Sequence, residues 1–366
     1  MRINRNMLLK IANDAIEKSI NTDRSLMAVY LQGSLLGDSP LLGNTADIDL
    51  FYIHSSDVAV EREIIRISDE VHLDISHHSH TVYRQPRELR LHPWLGPAIY
   101  GCKIMYDPQH YLDFVQASVR GQFSSPVNVL SRVRRQAGHA REMWEAFYAH
   151  PQPPNPQEAS MYLHALEHAA NAVAGLSGHT LSERRLLIEL RTRADAVGKG
   201  GLYAGFLGLL GAPAVGVETI HAWLPGWQEA YAALPEEKAP IRLSPYRWLY
   251  YLRAVEAMLD SPNGRDALWP LWRTWTYAVC SLSVDSTHLA AWQQPHDRNS
   301  HPTGKRREQE LIPQLERWWS DQPYRYCPGE CYLLYRQFRD AVPVDYCGHP
   351  RRSRADICEP DGRVLS

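Results

Sequence analysis

Residues 27–52 read MAVYLQGSLLGDSPLLGNTADIDLFY, and the fold turns on them. The apolar run Met27 to Leu31 has the look of a strand and ends in Gly33-Ser34. A loop of twelve residues follows, and then Asp47-Ile48-Asp49-Leu50-Phe51-Tyr52. A strand sends alternate side chains to opposite faces, so Asp47 and Asp49 share one face and Ile48 and Leu50 the other. Two adjacent carboxylates repel unless a cation or hydrogen-bond donors compensate them. Hard divalent ions such as Mg²⁺ take oxygen ligands of this kind, usually with substrate phosphates completing the shell. Gly33 lets a ligand come close to the backbone, and Ser34 offers a hydroxyl and an amide. Downstream, Val71, Leu73 and Ile75 alternate with His72, Asp74 and Ser76, which predicts a second half-buried strand with Asp74 on its polar face.

In this order and phase, Gly33-Ser34, Asp47-Ile48-Asp49-Leu50 and Asp74 resemble the pattern of the polymerase-β-like nucleotidyltransferase superfamily. The resemblance covers about residues 1–115. Tyr100 to Val115, a strand, an Asp107-Pro108 turn and a helix, is similar to the end of the catalytic domain in the small-molecule, aminoglycoside-type members. The resemblance implies that Asp47, Asp49 and Asp74 are catalytic and hold two Mg²⁺ ions. It implies that Gly33 and Ser34 grip the triphosphate of an NTP donor such as ATP. The sequence departs from the pattern in one respect. Many members carry Arg or Lys soon after Gly-Ser, whereas Leu35 to Ala46 contains no basic residue. Arg84 and Arg87, with Arg90 and Lys103 behind them, are therefore the expected contacts for the triphosphate.

A chain of 366 residues is long for one domain, and two are expected. With 44% hydrophobic and 22% charged residues the composition is that of a globular protein. A net charge of −2 gives no global field toward nucleic acid. Residues 1–20 lack a continuous apolar core and instead space Leu8, Ile11, Ala12, Ala15 and Ile16 as an amphipathic helix does. The longest uncharged run, Gly201 to Val217, is broken by five Gly and a Pro and does not read as a membrane span. A cytoplasmic protein without a membrane partner is the expectation.

Taken in order, the chain predicts a helix at 7–20, strands at 27–32 and 46–54, a helix across Ser56 to Ser68, a strand at 70–76 and a short helix from Arg84 to Arg90. His77, His78 and His80 follow the strand, with alternation placing His78 and His80 on one face and His77 on the other. They read as solvated or phosphate-facing imidazoles. A helix starting at Ser125-Pro126 carries Arg132, Arg134, Arg135 and Arg141. After a Pro-rich linker at 151–156, helices are expected at about 158–176, 181–197, 201–211, 216–234, 244–260 and 265–282. On the first of these, His164, Glu167, His168 and Asn171 share a face. Glu167 or His168 could touch an acceptor there, as the helical domain does in aminoglycoside-type enzymes. The tail clusters Cys327, Cys331, Cys347 and Cys358 as a metal site does, but Cys-x3-Cys is not the usual Cys-x2-Cys spacing and the second pair is far apart, so free or regulatory thiols are the favoured reading.

The expected fold is therefore α+β. A nucleotidyltransferase domain over 1–120, a small mixed sheet with flanking helices, precedes a helical acceptor-binding domain over 121–320 and a Cys-containing tail over 321–366. The expected activity is transfer of a nucleoside monophosphate from NTP to a hydroxyl of a small-molecule acceptor. The alternatives are transfer to an RNA end or a protein hydroxyl, nucleic acid being the less favoured partner, and a non-catalytic, antitoxin-like binding module.

Overall fold

The computed structural model describes residues 3–148, 155–212, 215–235, 239–282 and 288–293. The chain opens with helix α1, Arg5–Thr22, whose first turn is capped by the Asn4 side chain accepting from the Met7 amide. Leu8, Ala12 and Ile16 form its buried stripe. Five strands follow: β1 (Leu26–Gln32), β2 (Ala46–His54), β3 (Arg62–Arg66), β4 (Val71–Ser79) and β5 (Lys103–Tyr106). They lie in the order β3-β4-β2-β1-β5. β2 and β4 are parallel and every other pair is antiparallel, so the sheet is mixed.

The alternation read from the sequence sets the two faces. Val29, Leu31, Ile48, Leu50, Tyr52, Val71, Leu73 and Ile75 pack with the α1 stripe into one apolar core. Asp47 and Asp49 of β2 and His72 and Asp74 of β4 are on the opposite face.

Ser56 to Ser68 is not a helix. It contains β3, the edge strand paired antiparallel with β4, Ile64 opposite Asp74 and Arg62 opposite Ser76. The sequence EREIIRIS has β-branched residues two apart, Ile65 and Ile67 on one face and Ile64 on the other. Two adjacent isoleucines blur that alternation and mimic helical spacing.

Short helices α2 (Pro86–Leu89) and α3 (Leu95–Gly101) lead to β5, and α4 (Tyr111–Arg120) closes this part of the chain. The Asp107-Pro108 turn caps α4, its carboxylate accepting from the amides of Tyr111 and Asp113. Seven longer helices follow: α5 (Pro126–Tyr148), α6 (Pro156–Ala174), α7 (Leu186–Ala196), α8 (Gly201–Leu209), α9 (Val217–Ala232), α10 (Trp248–Leu259) and α11 (Leu268–Ser281). A capping box at Asn155 and Glu158 fixes the start of α6. α6 to α11 enclose a second, aromatic-rich core around Trp227, Trp269, Trp275 and Tyr251. No helix among the described residues is long and apolar enough to cross a membrane. The cysteines at 327–358 lie outside the described residues.

Candidate active site

The parallel register of β2 and β4 sets Asp49 directly beside Asp74, and Asp47 beside His72. Three carboxylates thus gather on one face over two neighbouring strands. Gly33, at the end of β1, backs them with φ +80, and a Cβ there would come within 1.9 Å of Asp49 Oδ2. Any residue but glycine would displace the carboxylate and would also bear the left-handed backbone. Gly33→Ala is expected to lower stability by about 1–2 kcal/mol, read from urea midpoints. Part of that loss should disappear in an Asp49→Ala background, where the contact is gone. An equal loss in both backgrounds would show that Gly33 does not serve Asp49.

The charges of the cluster are only partly met. Arg62, from the edge strand, grips Asp74 with both arms of its guanidinium, Nε to Oδ1 at 2.7 Å and Nη2 to Oδ2. Burial alone would raise the Asp74 pKa, but the Arg62 charge and hydrogen bonds outweigh it and hold the carboxyl below its usual range. Arg247, just before α10 and 2% exposed, donates Nη2 to Asp47 Oδ2 at 2.7 Å. The other oxygen, Asp47 Oδ1, has no hydrogen-bond partner among the described residues and faces His72 Nδ1 at 3.7 Å. His72 is fully buried against Tyr246 and Tyr250, and burial pushes it down to about 4, so it is neutral at pH 7. Among the described residues, no arginine pairs with Asp49. Burial first, then repulsion from Asp74 and Asp47, raises its pKa well above the carboxylate range.

The loop between the two halves of the motif is held by the helical part of the chain. Gly43 and Asn44, both with positive φ, make a two-residue reverse turn closed by a Leu42–Thr45 bridge. The turn presses on α10, where a Cβ at Gly43 would meet the Arg253 carbonyl at 2.0 Å. Arg184 Nη1 donates to Thr45 Oγ1 and to the Tyr250 carbonyl, each at 2.8 Å. Arg185 donates to the Leu41 carbonyl and Arg253 pairs with Glu70. The Ser34 hydroxyl is turned to the Pro40 carbonyl at 3.1 Å, which shapes the loop.

The structure separates some expected groups from this cluster. Arg84 and Arg87 follow the far end of β4, beyond Ser79, whereas the carboxylates are in the first halves of β2 and β4. Arg84 bonds to His80 at 2.9 Å and Arg87 is exposed. Arg90 is occupied with carbonyls at the end of α4 and Lys103 is exposed at the start of β5. The basic side chains bonded to the carboxylates are Arg62 and Arg247 instead, and the charge of Arg242 also acts on Asp49 and Asp74. His77 and His78 are half-buried and bonded within the fold: His78 bonds to the Tyr83 hydroxyl at 2.5 Å and His77 to Glu63 and His54.

The polar stripe of α6 is internal as well. Glu167 accepts from Arg273 Nη2 at 2.6 Å, and Asn171 bonds to the Glu167 carbonyl and the Leu181 amide. Burial would raise the Glu167 pKa, but Arg273 and His164 overcome it and hold it at about 2. His168 bonds to Gln136 and stacks on His139. The stripe therefore ties α6 to α5 and α11. Glu167→Gln is expected to cost about 3 kcal/mol in urea unfolding, because it leaves a buried guanidinium without its charge partner. With a lowered pKa, the Glu167 contribution is complete above the usual carboxylate value and is lost as pH falls through about 2. A near-neutral variant would contradict the structural role.

Sequence reading missed Arg62 and Arg247. Arg62 was legible in principle, as the polar partner of Ile64 in a β alternation. Arg247 is 200 residues from Asp47 and carries no local signal. Among the described residues, no group of three or more His, Cys, Asp or Glu is arranged to hold a metal ion. No protein-family profile matches the chain, and no curated protein matches its sequence.

Proposed function

We propose that this chain is a nucleotidyltransferase that moves a nucleoside monophosphate from a nucleoside triphosphate to a hydroxyl of a small-molecule acceptor. The observation that carries the reading is the pairing of Asp49 with Asp74 on adjacent parallel strands, with Asp47 on the same face and Gly33 behind Asp49. The donor set suits Mg²⁺ in chemical kind, although the three carboxylates, two of them paired with Arg62 and Arg247, would have to draw together around it. The set is all carboxylate oxygen, one of those oxygens lacks a partner among the described residues, and the ionised form of Asp49 is disfavoured until positive charge arrives. Asp47, Asp49 and Asp74 would hold it. Bound Mg²⁺ would neutralise phosphate charge and lower the pKa of the acceptor hydroxyl.

The remaining work falls to the chain's own groups. Gly33 leaves room for the Asp49 carboxylate, and its backbone would face the phosphates. Arg247 and Arg62 supply the cationic charge that Leu35 to Ala46 lacks, releasing Asp47 and Asp74 and turning to phosphate oxygens. The acceptor oxygen bonds to the α-phosphorus, the bond to pyrophosphate breaks, and Asp74 accepts the hydroxyl proton. Catalysis is then mainly positioning and charge neutralisation. In this reading residues 1–120 carry the chemistry and 121–320 bind the acceptor.

The arginine pairs on Asp47 and Asp74 favour a second reading, a module that binds nucleotide or a partner without turnover. One experiment separates the two. The full chain is incubated with each α-³²P-labelled NTP, Mg²⁺ and a pool of hydroxylated metabolites. Label appearing in an acceptor together with released pyrophosphate supports transfer. Nucleotide binding without pyrophosphate supports the module.

A further inference from the structure

The carboxylate face of the sheet continues past Asp49 and Asp74 as a second row of side chains. Two residues further along the parallel strands, roughly 7 Å away, Phe51 of β2 pairs with Ser76 of β4. Tyr30 of β1 is opposite Phe51, and Arg62 of β3 is opposite Ser76. The row across the sheet is therefore Tyr30, Phe51, Ser76, Arg62, on the same face as Asp49 and Asp74.

Burial differs on the two sides of the carboxylates. At Asp47 and His72 the face is closed by Arg247, Tyr246 and Tyr250, and both residues are buried. On the other side Phe51, Ser76 and His78 are half-buried. The Phe51 ring lies flat against the buried Tyr30 ring, centroids 4.7 Å apart and planes 5° from parallel. Its opposite face is turned along the row toward Ser76. Neighbouring strands are about 4.8 Å apart, so the strands of Phe51 and Arg62 are roughly 10 Å apart, with a serine between them. A planar ring needs about 3.5 Å to each wall. The small side chain of Ser76 thus leaves a slot one ring wide. His78 stands at its far end, 5.5 Å from Phe51 at 70°, and is fixed through Nδ1 by the Tyr83 hydroxyl.

We propose that this slot over Ser76 is the acceptor subsite, taking a planar aromatic ring that carries the attacking hydroxyl beside Asp74. The assignment rests on the nucleotidyltransferase reading and names the class of its acceptor. The ring would extend the Tyr30–Phe51 stack, a contact worth more than its buried area alone. The stem of Arg62 is the other wall whichever way its guanidinium turns. Charge selects in the same direction. Burial pushes His78 down to about 4, so it is neutral at pH 7, and Arg62 is the charged member of the row. A neutral ring suits this wall and a polycation such as an aminoglycoside does not. Gly33-Ser34 leaves β1 past Gln32, which pairs with Asp49, so the expected triphosphate contacts are on the other side of the carboxylates from the slot. The ring therefore belongs to the acceptor and not to the donor's base.

The test is saturation-transfer NMR on the full chain with Mg²⁺ and a non-hydrolysable ATP analogue. The probes are tyrosol, a phenol with an aliphatic hydroxyl, its ring-saturated cyclohexanol counterpart, and kanamycin. Tyrosol is expected to bind about fivefold more tightly than the saturated alcohol. Phe51→Leu should remove that preference. Ser76→Leu, which fills the slot, should abolish tyrosol binding and leave the ATP analogue bound. Equal binding of the two alcohols overturns the proposal, as does kanamycin bound in preference to tyrosol. So does a Phe51→Leu variant that loses the ATP analogue and keeps tyrosol, because the slot would then take the donor's base. The same probes offered with α-³²P-labelled NTP separate the two claims. Ring binding without pyrophosphate release keeps the slot and removes the transfer. Equal transfer to both alcohols keeps the transfer and removes the slot.

Discussion

Asp49→Asn is expected to lower nucleotidyl transfer by on the order of a thousandfold, about 4 kcal/mol of barrier, while raising the thermal midpoint of the ligand-free protein. The two effects have one origin. Asp49 lies beside Asp74 and two residues after Asp47, and no arginine pairs with it among the described residues. Its pKa in the fold is raised above the unfolded value, so ionisation costs stability as pH rises out of the carboxylate range toward neutrality. The amide keeps the shape and removes that repulsion. It also removes the charge a cation would answer, so activity falls where stability rises, a trade expected of a functional site. Steady-state turnover and calorimetry on one preparation read both. An Asp49→Asn variant that keeps its activity would remove Asp49 from the chemistry. One that is active and destabilised would contradict the charge argument altogether.

Arg247→Ala is expected to have the largest effect on stability, about 3–5 kcal/mol, measured as a shift in urea midpoint. Arg247 is buried, bonded to Asp47, and flanked by the rings of Tyr250 and Tyr251 at 4.5 and 5.6 Å. Truncation leaves a buried carboxylate without its partner and a gap beside His72. Pairing a volume-matched Arg247→Met with Asp47→Asn should restore much of the loss, since replacing both members of a buried pair costs far less than removing one. If the double variant were as unstable as Arg247→Ala, packing rather than charge would govern the position.

The parts of the site that were legible in the sequence are those written in local alternation. Ile48 and Leu50 against Asp47 and Asp49, and Leu73 and Ile75 against Asp74, fixed the phase of β2 and β4 and placed three carboxylates on one face. The Asp107-Pro108 turn and Ser125-Pro126 marked helix starts because Asp and Pro act within a few residues. β3 was misread because Ile64 and Ile65 are adjacent, and only pairing with β4 resolves which of them faces which side. That error hid Arg62, whose role depends on facing Asp74 across the strands. Arg247 was hidden for another reason. Ser-Pro-Tyr-Arg-Trp-Leu-Tyr-Tyr reads as one more aromatic helix start, and nothing local says that its arginine is turned toward a strand 200 residues earlier. Arg84 and Arg87, expected at the triphosphate because Leu35 to Ala46 is uncharged, carry no local sign of the end of the sheet they occupy.

Direct counting of bound metal tests the proposed chemistry most sharply. The full chain is titrated with Mn²⁺ in place of Mg²⁺ in the presence of a non-hydrolysable ATP analogue, and free Mn²⁺ is followed by electron paramagnetic resonance. Two Mn²⁺ bound per chain beyond those the analogue binds alone in buffer, with binding lost in Asp49→Asn and weakened in Asp74→Asn, is the expected result. Failure to bind Mn²⁺, or binding unchanged in both variants, would contradict the assignment of Asp47, Asp49 and Asp74 as the centre of a nucleotidyltransferase.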